Sequence, residues 1–240
     1  VSPAGAEQPP RLLVAETFGV EQPTFQGEGP SCGVPALFIR LSRCNLTCSW
    51  CDTPYTWDWA RFDPHAESSR QTVRELLEWA RSSDVELVVI TGGEPLIQQQ
   101  PLAVLVRGLL DGDKRVEFET NGTIAPGPDL LVEGVRFNVS PKLANSGVAE
   151  SKRLAPTALV AFAASGRAVF KFVARTEADL EEIAGLADRY GLAPIWVMPE
   201  GTTPQELIAT TRVLADAVAA RRWNLAQRLH VMAFAELRGR

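Results

Sequence analysis

Histidine and methionine each occur only twice in the 240 residues, and cysteine only four times. No apolar run reaches the ~20 residues a bilayer-spanning helix needs, and the amino terminus has no signal-peptide core. No block of Lys or Arg occurs, and the formal net charge is −5, which disfavours a nucleic-acid polyanion as partner. No internal repeat at a fixed period is present. Thiols in a chain without a secretion signal point to a reducing cytoplasm rather than to disulfides. What remains is ordinary globular composition, 45% hydrophobic and 22% charged, in a length that one α/β domain can fill. Residues 1–11, rich in Pro, Ala, Gln and Glu, read as a disordered leader, and 12–240 as a single domain.

Three of the four cysteines fall in Cys44-Asn45-Leu46-Thr47-Cys48-Ser49-Trp50-Cys51, a C-x3-C-x2-C loop. Three thiolates so close can hold three corners of an iron–sulfur cube and leave the fourth iron open. An open iron implies chemistry at the metal. The alternative is a structural zinc site with Cys32 as fourth ligand, but zinc modules pair C-x2-C knuckles and Cys32 stands alone.

Strand-like runs alternate with helical ones. Leu12–Phe18, Pro35–Leu41, Val85–Ile90, Arg115–Glu119, Val135–Val139, Ala168–Val173, Pro194–Val197 and Arg228–Val231 read as strands. Helices are expected from Thr72 to Ser82, Pro101 to Leu110, Thr176 to Tyr190 and Thr203 to Arg221, the first and last opened by capping boxes. Alternation of this kind implies parallel strands with right-handed crossovers. The unusual residue sets all follow strand ends, where a parallel barrel carries its active face: the cysteine loop, Thr91-Gly92-Gly93-Glu94, Thr120-Asn121, Ser140-Pro141-Lys142 and Met198-Pro199-Glu200.

Each set suits a ligand. Gly92-Gly93-Glu94 can lie flat against a small zwitterion where a Cβ would intrude. Lys142, beside Ser140 and Pro141, suits a carboxylate or ribose hydroxyls. Asp52 and Thr53 offer hard oxygens to Mg²⁺. In Gln26-Gly27-Glu28-Gly29, Gln and Glu form a donor–acceptor set for a heterocycle edge, or else a solvated turn. Arg40 interrupts a buried strand and requires an acid, from the protein or from a ligand. His65 reads as solvated, and His230 as a hydrogen-bond donor to a ligand or a structural histidine.

The cysteine spacing, with an aromatic residue before the last cysteine, resembles the signature of the radical S-adenosylmethionine superfamily, and Gly92-Gly93-Glu94 resembles its GGE motif. With Gln26-Gly27-Glu28-Gly29 before the cluster and Cys51-Asp52-Thr53 after it, the chain from Leu12 onward resembles the 7-carboxy-7-deazaguanine synthase family. The resemblance implies a partial, TIM-like parallel β/α barrel of about six core strands, working as a homodimer. It implies a lyase that converts 6-carboxy-5,6,7,8-tetrahydropterin to 7-carboxy-7-deazaguanine with loss of ammonia, using a 4Fe–4S cluster, S-adenosylmethionine and Mg²⁺, with a flavodoxin- or ferredoxin-type electron donor. The product would feed queuosine-type or other 7-deazapurine biosynthesis.

Carried over, Cys44, Cys48 and Cys51 would hold the cluster and Thr53 the Mg²⁺. Trp50, Asp52, Gly92, Gly93, Glu94, Glu119, Asn121, Ser140, Pro141, Lys142, Met198, Pro199 and Glu200 would meet S-adenosylmethionine. Gln26, Gly27, Glu28, Arg40, Thr91 and His230 would meet the pterin, with Arg40 toward its carboxylate. No side chain is assigned as acid or base, since cluster and S-adenosylmethionine carry the chemistry. Two departures stand out: Phe234 where the family usually has tryptophan, and a tail, Ala235 to Arg240, without the usual glycine-rich ending. The rival readings are a glycyl-radical-enzyme activase with a protein substrate, and a non-catalytic zinc-stabilised binding module.

Overall fold

In the sequence Arg-Val-Glu-Phe-Glu-Thr, apolar and acidic residues alternate, and a strand must send them to opposite faces. The computed structural model, which describes residues 9–235 and 237–239, does so. Val116 and Phe118 are buried against helices, while Glu117 and Glu119 face the interior of a curved sheet.

The strands are β1 (Arg11–Phe18), β2 (Ala36–Leu41), β3 (Ser69–Thr72), β4 (Leu87–Gly92), β5 (Arg115–Thr120), β6 (Val135–Val139), β7 (Ala168–Ala174), β8 (Ile195–Pro199) and β9 (Asn224–Leu225). Among the described residues they form one sheet in the order β3-β1-β2-β4-β5-β6-β7-β8-β9. From β2 to β9 all pairings are parallel; β1 is antiparallel to β2 and to β3. Strands β2 and β4 to β8 are the six expected core strands, and the two edge strands, β3 and β9, do not pair with each other, so the barrel is partial. The leader expected over 1–11 falls largely on residues 1–8, outside the described residues, and β1 begins at Arg11.

The helices are α1 (Pro64–Glu67), α2 (Val73–Arg81), α3 (Gln99–Leu110), α4 (Glu150–Arg153), α5 (Pro156–Ala164), α6 (Glu177–Tyr190), α7 (Pro204–Ala220) and α8 (Leu229–Phe234). Capping boxes start α2 (Thr72 with Glu75) and α7 (Thr203 with Glu206), and a third starts α6 (Thr176 with Asp179). Helix α5 was not expected: Pro-Thr-Ala-Leu-Val-Ala-Phe-Ala-Ala has no polar face to give a helical period. Its Phe162 meets Phe137 edge-on, and Phe137 stacks on Phe118, joining helix layer to sheet.

One expected strand is wrong. Arg228–Val231 is not extended; the last strand is Asn224–Leu225, and His230 lies on α8. Arg-Leu-His-Val alternates in polarity but is too short to separate strand from helix. The ladder beside β8 is completed by Asn224, Leu225 and Ala226, whose N–H reaches Val197 O at 2.9 Å. Leu229 instead turns back, its N–H donating to Gly27 O at 2.8 Å.

Among the described residues, no helix is long and apolar enough to cross a membrane.

Candidate active site

The carboxyl ends of the parallel strands are in register: Arg40 sits beside Thr91, Glu119 beside Asn138, and Ala174 beside Pro199. Their loops surround a cavity of about 230 Å³ that Cys44, Cys48 and Cys51 line together with most of the other expected site residues.

The cysteine loop is held by its neighbours' backbones. Arg43 N–H donates to Thr56 O at 2.7 Å, Glu94 N–H to Arg43 O at 2.8 Å, and Ser49 N–H to Ser146 O at 3.0 Å. Cys48 is seated against Leu46 and Val148. All four cysteines are free, and Cys32 lies outside the cavity, its thiol donating to Gly27 O at 3.5 Å. Burial pushes the Cys44 thiol up to about 11, opposed by the Leu46 N–H, and burial also raises Cys48, opposed by Lys142. Cations must therefore be present to ionise these thiols at neutral pH. Among the described residues, no three His, Cys, Asp or Glu side chains are grouped as a single-ion site. One loop presenting three free thiols to one cavity, with Cys32 turned away, fits a three-thiolate cluster better than a zinc tetrahedron.

The double glycine proves necessary for a reason other than ligand approach. A Cβ on Gly92, at φ +144°, would stand 2.2 Å from Leu41 O; one on Gly93 would stand 2.2 Å from Arg43 O and 2.7 Å from the Cys44 Cβ. The GGE turn thus lies against the cluster loop, backbone to backbone. Gly93→Ala is expected to displace Arg43 and Cys44 and lower the iron retained per chain, with an overpacking cost of about 1–3 kcal/mol. Iron and sulfide analysis with a denaturation midpoint checks this; full iron content at unchanged stability would contradict it.

Glu94, expected to meet a ligand, does not line the cavity. Its fully buried carboxylate accepts from Leu96 N–H (3.0 Å), Thr120 Oγ1 (2.8 Å) and Asn121 N–H (2.7 Å). It ties the ends of β4 and β5 together, because a buried carboxylate needs several donors. Pro141 and Pro199 also stay outside the lining. Gly92, Gly93, Asn121, Ser140, Lys142, Met198, Glu200, Trp50 and Asp52 do line it. Lys142 donates to Ser140 Oγ at 2.8 Å and lies 5.5 Å from the Trp50 ring centre, and Trp50 Nε1 donates to Asn145 O at 3.1 Å. Glu200 is bridged to Arg175. Thr53 lines the cavity, its Oγ1 3.7 Å from Cys51 Sγ.

The cavity also borders a charge network that sequence reading saw only in part. Lys171, in the middle of β7 and 1% exposed, donates to Glu28 Oε2 at 2.6 Å and to Glu119 Oε2 at 2.5 Å. Glu119, expected among the S-adenosylmethionine contacts, also accepts from Gln26 Nε2 and Asn138 Nδ2, each at 2.9 Å, which ties it to the Gln26–Glu28 loop. Arg228 donates from Nε to Glu28 at 3.1 Å and from Nη1 to Gly201 O at 3.0 Å, and its Nη2 pairs with Asp52. Burial would raise Glu28, yet Lys171 and Arg228 hold it well below the usual carboxylate range. Burial dominates at Glu119 and raises it despite Lys171. His230, packed where a Gly27 Cβ would be 2.2 Å from its Nδ1, is lowered by burial against the pull of Glu28.

Arg40 finds its acid within the protein: Nε pairs with Glu16 at 2.6 Å, and Glu16 also accepts from Tyr55 at 2.6 Å. Lys171 and Arg228 were missed. For Lys171 the signal was present, since Ala-Val-Phe-Lys-Phe-Val-Ala breaks an apolar strand as Arg40 does. The atypical tail is anchored beside the site: Phe234 stacks on cavity-lining Phe25 at 5.2 Å, and Arg238 binds Glu16 (3.1 Å) and Glu67 (2.8 Å) over the Tyr55 ring.

Comparison with known proteins agrees with this geometry. The Radical SAM superfamily model matches residues 38–151, which include the cysteine loop, GGE and Ser140–Lys142. A 7-carboxy-7-deazaguanine synthase from Pyrobaculum aerophilum is 37% identical over 96% of this chain and 98% of its own. Those from Hyperthermus butylicus (37% identical, 92% of each chain) and Rhodopirellula baltica (33%, 95% of this chain and 88% of its own) are similar to it as well. Among solved structures, QueE from Escherichia coli superposes with a TM-score of 0.70 at 28% identity, covering 92% of this chain and 95% of that one. Streptococcus suis SuiB, at 13% identity and a TM-score of 0.55 over 77% of this chain and 46% of its own, shares the fold alone. With its cysteine loop and its GGE turn matched, and 96% of its length aligned to one relative, the chain belongs to the 7-carboxy-7-deazaguanine synthase family of radical SAM enzymes.

Proposed function

We propose that this enzyme converts 6-carboxy-5,6,7,8-tetrahydropterin to 7-carboxy-7-deazaguanine with release of ammonia. The observation that carries the reading is a single cavity lined both by three free thiols and by residues of a carboxylate–amide–cation network. Cys44, Cys48 and Cys51 would hold a 4Fe–4S cluster, and Trp50, Gly92, Gly93, Asn121, Ser140 and Lys142, which line the cavity, would hold S-adenosylmethionine. When bound, cluster and S-adenosylmethionine together supply one-electron hydrogen abstraction, chemistry no side chain here offers.

The chain's own task is to bind, orient and exclude water. Gln26, Glu28 and Glu119 offer amide and carboxylate groups to the N–H donors of a pterin ring, and Thr91 and His230 flank them. Arg40 keeps its terminal guanidinium nitrogens for the substrate carboxylate while Glu16 fixes its Nε. Asp52, held by Arg228, is lowered by that cation against the opposing effect of burial and stays anionic beside the cavity. Mg²⁺ is assigned to Thr53, with substrate and water completing its shell. A single domain over 12–240, a homodimer, a cytoplasmic setting and a flavodoxin- or ferredoxin-type donor complete the proposal; the oxygen sensitivity of an open cluster supports the cytoplasmic setting, and the presence of a single three-cysteine motif in the sequence supports an external donor.

The test is anaerobic incubation of reconstituted protein with the carboxytetrahydropterin, S-adenosylmethionine, a one-electron reductant and Mg²⁺, followed by mass spectrometry. The deazaguanine acid is expected, with its yield falling in Thr53→Ala. Deoxyadenosine without deazaguanine would overturn the substrate assignment and favour a protein substrate instead.

A further inference from the structure

Trp57 reaches the cysteine loop without itself offering a thiol. Its indole Nε1–H donates to Cys51 Sγ at 3.3 Å, and the ring lines the cavity. Among the described residues, this indole is the side-chain donor nearest a cluster sulfur; Asn121 Nδ2 stands 3.9 Å from Cys44 Sγ. Cys44 otherwise receives the Leu46 backbone N–H at 3.4 Å.

The donor is held in place by short-range structure. Pro54–Thr56 forms a 3-10 turn whose carboxyl cap is Trp57, with Trp57 N–H on Pro54 O at 3.1 Å. Thr56 is fully buried, its Oγ1 donating to Thr53 O at 2.8 Å, and its carbonyl accepts from Arg43 N–H on the other side of the cysteine loop. Tyr55 is fixed by Glu16. The seven residues from Cys51 to Trp57 therefore keep little freedom, and the indole N–H is aimed at the sulfur.

We propose that Trp57 is a positioning residue that sets the reduction potential of the cluster through Cys51, an inference that rests on Cys51 being a cluster ligand. Hydrogen bonds to ligating sulfurs are among the determinants of iron–sulfur potentials. A donor withdraws charge from the thiolate and stabilises the more negative, reduced cluster, so its loss makes reduction harder.

Two replacements separate the N–H from the ring: Trp57→Phe, and incorporation at position 57 of 3-benzothienylalanine, a near-isostere with sulfur in place of N–H. The readout is an anaerobic redox titration of the reconstituted protein, followed by electron paramagnetic resonance, with iron and sulfide per chain measured alongside. Both replacements are expected to keep the cluster and to lower the reduced-to-oxidised ratio at fixed ambient potential about tenfold, equivalent to about 59 mV for a one-electron couple. Trp59→Phe, whose ring lies outside the cavity lining, is the control and should leave the potential unchanged. An unaltered potential in the isostere, or an equal shift in the control, overturns the proposal; should Trp57→Phe lose its iron, the isostere decides. Absence of iron from the wild-type protein would refute the cluster assignment itself and is distinguished by the metal analysis.

Discussion

Cys48→Ala should give a folded, colourless protein with no 7-carboxy-7-deazaguanine synthesis. Cys48 is 9% exposed and sits in a small apolar cluster with Leu46 and Val148, apart from the main core under the sheet. Alanine fits there without strain, so the loss of stability in the metal-free protein should be about 1 kcal/mol, the scale of removing one small buried group. The effect on the cluster is of another order. Two thiolates cannot replace three, and the nearest alternatives in sequence and motif are engaged elsewhere: Cys32 faces Gly27 O, Asp52 is paired with Arg228, and Glu94 is enclosed by its three donors. Iron and sulfide analysis, visible absorbance and circular dichroism after anaerobic reconstitution check this. A variant with wild-type iron content and turnover would remove Cys48 from the ligand set.

Lys171→Met should lower stability by about 3–5 kcal/mol, the range found when one partner of a buried ion pair is removed. The ammonium stands between two carboxylates that are themselves largely shielded, and methionine has nearly its length without its charge. Glu28 retains Arg228, but among the described residues Glu119 loses its one paired cation and keeps the Gln26 and Asn138 amides. The sign of the pH dependence follows. Burial already raises Glu119 with Lys171 opposing, and without Lys171 its folded pKa rises further above the unfolded value. A carboxyl raised on folding destabilises while ionised, so the deficit should shrink as pH falls from 8 toward 5 and the proton returns. Denaturant titrations at both ends of that window test it, and Glu119→Gln in the Lys171→Met background should recover part of the loss as a coupled pair. A deficit below about 1 kcal/mol, or one that grows on acidification, would show that the network does not support the fold as described.

The same buried network shows where sequence reading stops. The alternation of Arg115–Thr120 and the interruption of β7 by Lys171 both say that something polar faces inward. Neither says that Glu28, more than 140 positions away, is what Lys171 meets. Asn138 and Ser31 are similar: ordinary polar residues in sequence, yet one bridges Glu117 and Glu119 and the other donates to Glu117. Glu94 shows the converse, a motif residue whose carboxylate turned out to be enclosed by backbone and hydroxyl donors, because the turn after β4 folds inward against β5. The carboxyl end was misread because four residues of alternating polarity carry too little periodicity, and the bond from Leu229 N–H to Gly27 O that fixes their shape joins opposite ends of the chain.

By itself the sequence determined the elements whose causes are local: the three-cysteine loop, the capped helices, the alternating strands, and the placing of unusual residues after strand ends. Those features depend on spacing within a turn or two, so adjacent residues suffice to specify them. Only the tertiary structure decided that Lys171 and Arg228 organise a buried network beside the cavity, that Gly92 makes room for the end of β2 and Gly93 for the cysteine loop's backbone, and that Trp57 points its N–H at Cys51. Each of these depends on side chains or backbones brought together by the curvature of the sheet, where burial makes an ion pair or hydrogen bond obligatory but does not name the partner.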